Sequence, residues 1–69
     1  MQNNVAEYKS AKSNSTYTVT AENGRAYLGV TGEAATNPKV IAEKERIRKS
    51  GGDDVELVKW IARKLANTY

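Results

Sequence analysis

The sequence predicts a small two-layer α+β domain, with an N-terminal β-hairpin over about 15–31 packed against two C-terminal helices over about 38–49 and 54–66. Three observations carry this. An alternating stretch runs into Asn23-Gly24, an Asn-Pro start and a Gly-Gly stop bracket one helical segment, and a helical-period apolar stripe fills the C-terminus.

The hairpin comes first. Ser15-Thr16-Tyr17-Thr18-Val19-Thr20-Ala21 alternates between Tyr17, Val19 and Ala21 on one side and threonines on the other. Asn23-Gly24 suits a type I′ turn, which needs positive φ at both central residues. A two-residue loop pairs Glu22 with Arg25, Ala21 with Ala26, Thr20 with Tyr27, Val19 with Leu28 and Tyr17 with Val30. That register gathers Ala21, Ala26, Val19, Leu28, Tyr17 and Val30 on one face, and a one-residue slip would scatter them. The oppositely charged Glu22 and Arg25 close the turn. Tyr27 projects from the other face among threonines, exposed unless an N-terminal segment covers it.

Gly32 ends the second strand. Asn37 then serves as N-cap and Pro38 as first helical residue. This helix ends at Ser50-Gly51-Gly52, where glycine suits the left-handed cap, and its narrow stripe is Val40, Ile41 and Ile47 with Ala42. Asp53 or Asp54 caps the last helix, and Asp53-x-x-Glu56 has the spacing of a capping box. Val55, Val58, Ile61, Ala62 and Leu65 form its stripe, widened by Leu57 and Trp60, with Trp60 sealing the core edge. The short Gly51-Gly52 connection makes the helices antiparallel neighbours. Residues 1–14 form a flexible tail or a short extra element, a third strand or a helical turn, ahead of one domain over 15–69.

Composition narrows the chemistry. With no Cys and no His among 69 residues, disulfides, thiolate nucleophiles, the common triads and the usual zinc sites are missing together. Asp53-Asp54 is accounted for by helix capping, and the calcium-loop spacing is absent. Gly24, Gly29 and Gly32 match neither the dinucleotide nor the P-loop spacing. The chain therefore reads as no enzyme, without cofactor or metal. Only twelve residues are Ile, Leu or Val, a thin core for a domain of this size, which favours a homodimer or another partner as a source of stability. Met1-Gln2-Asn3-Asn4 lacks a basic region followed by an apolar run, and no stretch is apolar enough to span a bilayer, so the expectation is a cytoplasmic protein without a membrane.

Two surfaces remain for function. Tyr27 and Trp60 are candidate anchors for a protein partner, since aromatic residues dominate binding hot spots. Arg25, Lys44, Arg48, Lys59, Arg63 and Lys64 are candidate phosphate contacts, with Tyr27 as a stacking platform. Glu43 and Glu45 interleave the first of these clusters, pairing with Lys39 and Arg46 and with Lys49, so a protein partner is favoured over nucleic acid. Stoichiometric binding to a macromolecule is thus the expected role, of the kind found in accessory factors and inhibitors of phages and mobile elements. A small basic nucleic-acid-binding protein is the alternative.

Overall fold

The computed structural model describes residues 3–49 and 52–69. Strands β1 (Asn3–Ser10), β2 (Ser15–Glu22) and β3 (Arg25–Thr31) form an antiparallel meander in the order β1-β2-β3. A 3₁₀ turn over Glu33–Thr36 leads to α1 (Pro38–Lys49), followed by α2 (Val55–Thr68).

The β2–β3 hairpin has the register read from the turn, from Glu22↔Arg25 through Val19↔Leu28 to Thr16↔Thr31. Asn23 and Gly24 adopt φ of 54° and 76°, the positive values that a type I′ turn demands. Tyr17, Val19, Ala26 and Leu28 are buried, while Ala21 and Val30 at the ends of the same face are half-buried.

The N-terminal segment supplies the third strand, beside β2. Tyr8 lies opposite Tyr17 and Ala6 opposite Val19, so both add to the packed face. The register shifts between Asn4 and Ala6, leaving Val5 as the extra residue of a bulge. A bulge bends an outer strand and blunts it against unwanted pairing.

Both helices pack on the face carrying Tyr17 and Val19. α2 lies across β2 and β1, whereas α1 follows β3. Val58, Ile61, Ala62, Leu65 and Ala66 of α2 meet Val40 and Ile47 of α1 and Ala34 of the 3₁₀ turn in one cluster with the sheet. The opposite face carries the half-exposed Thr16, Thr18 and Thr20 beside the exposed Glu7 and Lys9.

Polar groups fasten the connections. Gly32 exits β3 at φ 88°, and a Cβ there would stand 2.6 Å from the Asn14 carbonyl. The buried Ser15 hydroxyl accepts from the Ala34 amide at 2.8 Å and donates to the Ser13 carbonyl at 3.1 Å, tying the 3₁₀ turn to the β1–β2 loop. Asn37 Oδ1 accepts from the Lys39 amide at 2.9 Å, the cap expected ahead of Pro38.

Several expectations need correction. Of the two aspartates expected as cap, Asp54 is the N-cap of α2, its carboxylate accepting from the Leu57 amide at 3.1 Å, and the Asp53-x-x-Glu56 box does not form. Glu56 therefore sits one residue short of the box position and pairs with Lys59 at 3.3 Å. Glu45 pairs with Arg48 at 3.0 Å instead of Lys49, whereas Glu43 pairs with Arg46 at 2.7 Å, as its spacing predicts. On α1, Ile41 and Ala42 are exposed, because a helix resting along one edge strand buries only the seven-residue spacing of Val40 and Ile47. Trp60 is 58% exposed. With about 100° per residue, it projects about 170° from the centre of the stripe formed by Val58, Ile61, Ala62, Leu65 and Ala66. The glycine cap assigned to Ser50-Gly51 lies outside the described residues.

Candidate functional site

α2 carries two opposed faces, and the outer one has chemistry of its own. Once Ile61 and Leu65 turn toward the sheet, Trp60, Lys64 and Thr68 fall at i, i+4 and i+8 along one solvent-facing stripe. The Lys64 ammonium stands 5.2 Å from the centroid of the Trp60 ring, within cation–π range.

Beside this stripe lies a groove of about 450 Å³ between the two helices. From α1 it is walled by Lys39, Ala42, Glu43 and Arg46, one helical face at spacings of three and four. Trp60 and Lys64 form the facing wall, Ile61 and Leu65 line the groove between the walls, and Thr68 and Tyr69 close one end. Ile61 and Leu65 are core residues, 6% and 7% exposed, so the apolar lining is the outer surface of the hydrophobic core itself. Glu43 is the one carboxylate side chain among the lining residues, and Arg46 holds it at 2.7 Å. A second depression, shared by Trp60 and Lys64, continues over Arg63 and Asn67, so the indole forms a ridge between two hollows.

Tyr27 occupies a separate place. It lines a cleft of about 150 Å³ with Leu28, Lys44 and Arg48. Tyr27 is half-buried, a correction to its expected exposure: the Arg25 guanidinium sits 5.8 Å from its ring centroid and α1 flanks it. β1 joins the edge of the sheet and does not cover this face.

The six basic candidates thus divide. Arg25, Lys44 and Arg48 gather around Tyr27, whereas Arg63 and Lys64 gather around Trp60, and none of the clefts described contains both aromatics. Arg25 is part of the framework. Its Nη2 donates to the Ile47 carbonyl at 3.2 Å and to the Arg48 carbonyl, caps the last turn of α1, and makes no ion pair with Glu22 among the described residues. Arg48 and Lys59 are ion-paired, while Lys44 and Arg63 make no ion pair among the described residues. Lys39, Ala42, Arg46 and Tyr69 belong to the groove; sequence reasoning placed Lys39 and Arg46 in ion pairs and Ala42 in the apolar stripe, and named none of the four as a site residue. The stripe spacing on each helix was legible, but not the fact that the two stripes face each other.

The pattern of shifted pKa values is structural. Hydrogen bonding and charge from Arg48 hold the Glu45 carboxyl below its ordinary value, and the Glu43 hydrogen bond raises Arg46. Burial, with a contribution from Tyr69, raises the Tyr17 phenol. Among the described residues no three carboxylates converge on a point that would hold a metal ion, and no helix is long and apolar enough to cross a membrane.

The fold and site together define a three-stranded meander backed by two helices with an aromatic-edged interhelical groove. No family model, curated protein or solved structure matches the chain.

Proposed function

We propose that this chain is a small non-enzymatic binding protein that acts by stoichiometric association with a protein partner, using the groove beside Trp60. The observation that carries the proposal is Trp60, a large aromatic side chain 58% exposed at the edge of a groove lined by core residues. A thin core has every use for an indole, so placing one outside leaves it available as an anchor. The lack of His and Cys, and the absence among the described residues of a carboxylate pair lining any cleft given above, support a non-catalytic role. Small size and this composition support an accessory or inhibitory role of the phage or mobile-element type. A homodimer belongs to the same reading, with the outer edge of β1 beyond its bulge, residues 6–10, as the contact, and light scattering over a concentration series tests it.

The direct test is titration of a purified partner, first identified by affinity capture, against the wild type and Trp60→Ala. A one-to-one complex that loses about 2 kcal/mol or more in the variant is expected. Equal affinity of the two proteins would remove the groove from the interface.

Nucleic acid is the second reading, favoured by one observation: each of the two aromatics has a cation against its ring, at 5.8 and 5.2 Å. Lys44, Arg63 and Lys64 would then contact phosphates, and affinity would fall steeply between about 50 and 200 mM salt.

A further inference from the structure

We propose that the groove between α1 and α2 takes an acidic amphipathic segment of the partner, with an apolar side chain seated against Trp60, Ile61 and Leu65 and carboxylates meeting Lys39 and Lys64. The proposal rests on the binding role above and adds the chemistry of what is bound.

Charge complementarity selects the occupant. Lys39, Arg46 and Lys64 border the groove against one carboxylate side chain, Glu43; Arg46 and Glu43 pair at 2.7 Å, so the excess of side-chain charge is that of Lys39 and Lys64. The asymmetry extends along the helix: from Leu57 to Tyr69 there is no Asp or Glu, while Lys59, Arg63 and Lys64 all lie in that stretch. A basic segment would meet only repulsion here. A neutral apolar segment would fill the lining and leave the cationic rims with nothing to recognise.

Shape and lining select a peptide over a nucleic acid. Ile61 and Leu65 reach the groove, and exposed Ala42 lowers the facing wall so that a side chain can enter. The groove is half open to solvent, and its volume, about 450 Å³, gives room for side chains presented from outside. Binding of single strands uses successive exposed aromatic platforms; here only the indole is exposed, with the half-buried Tyr69 at one end of the groove and Tyr27 in a separate cleft. An amphipathic helix whose apolar face enters a groove while its acidic flanks meet basic rims fits both features.

Trp60 is the sole tryptophan, so its emission reports on this groove directly. The probes are a short helical peptide with leucines on one face and glutamates elsewhere, its Gln and Lys analogues, and an oligothymidylate. The Glu peptide is expected to shift Trp60 emission and saturate at one per chain. The Gln analogue should bind about tenfold more weakly, and the Lys analogue should give no response. Lys39→Glu with Lys64→Glu, both on exposed positions and checked by circular dichroism, should reverse the preference between the Glu and Lys peptides. A Gln peptide binding as well as the Glu peptide, or an oligothymidylate outcompeting both, would overturn the proposal. So would equal binding of fluorescein-labelled Glu peptide by wild type and Trp60→Ala. Failure of every peptide, with Trp60→Ala still impairing the captured protein partner, would overturn the acidic class alone and leave the binding role standing.

Discussion

The backbone amide of Ala26 donates to the carbonyl of Gly52 across 2.7 Å, joining the free edge of β3 to the connection between the helices. Glu22 and Arg25 flank a two-residue turn as a hydrogen-bonded pair, so the next residue, Ala26, directs its amide away from β2. Gly52 takes that outward donor, and Arg25 caps the end of α1 one residue earlier. The start of β3 is thereby tied both to the last turn of α1 and to Gly52, two residues ahead of the α2 cap Asp54.

Gly52→Ala tests this junction. A Cβ there would stand 2.8 Å from the Ala26 carbonyl oxygen and 2.8 Å from Arg25 Nε, with little room to move either. Urea denaturation should show a loss of about 1–3 kcal/mol. Gly29→Ala is the control, since its Cβ would meet only the Thr18 carbonyl at 3.8 Å, and it should change stability by less than about 0.5 kcal/mol.

Arg25→Met removes the donors to the Ile47 and Arg48 carbonyls while keeping most of the aliphatic stem. Expected is a loss of about 1–2 kcal/mol, with faster amide exchange in the last turn of α1. Arg25→Lys should recover little, because a single ammonium does not reproduce the guanidinium fork. Full recovery by Lys would show that charge at the helix terminus is all that matters.

Tyr17 is fully buried, yet its hydroxyl has no hydrogen-bond partner among the described residues. Tyr17→Phe should leave stability unchanged or raise it slightly, whereas Tyr17→Ala should cost about 3–5 kcal/mol. The folded phenol holds its proton above the ordinary value, chiefly through burial and secondarily through Tyr69. An unfolded chain releases that proton near pH 10. Its stabilising effect is therefore complete below about pH 10 and is lost as pH rises toward the folded value. Chemical denaturation across this range should show a shallower decline for Tyr17→Phe than for the wild type.

Trp60→Ala should leave the thermal midpoint close to that of the wild type, within about 0.5 kcal/mol, because the ring projects from the protein. The adjacent Ile61→Ala should cost about 2–5 kcal/mol. A collapse of Trp60→Ala would return the indole to a core role and remove the anchor.

The sequence by itself determined the local units. Asn23-Gly24 with two alternating strands allows one register, since a slip would turn Val19 and Leu28 to solvent, and that register is the observed one. Asn37-Pro38 sets the start of α1 by the same local logic, through a side-chain cap and a fixed φ. Even the exposure of Trp60 was present in the spacing: the stripe of Val55, Val58, Ile61, Ala62 and Leu65 already centres about 165° from the indole at about 100° per residue. Tertiary structure decided what no local preference encodes. β1 is polar enough to be a tail, and it becomes a strand because the outer edge of β2 offers unpaired backbone groups. Arg25 pairs with Glu22 in register but caps α1 instead, because packing brings helix carbonyls, short of donors, within reach of its guanidinium. The groove exists only because two stripes, each legible alone, are placed face to face by helices resting on different strands of one sheet.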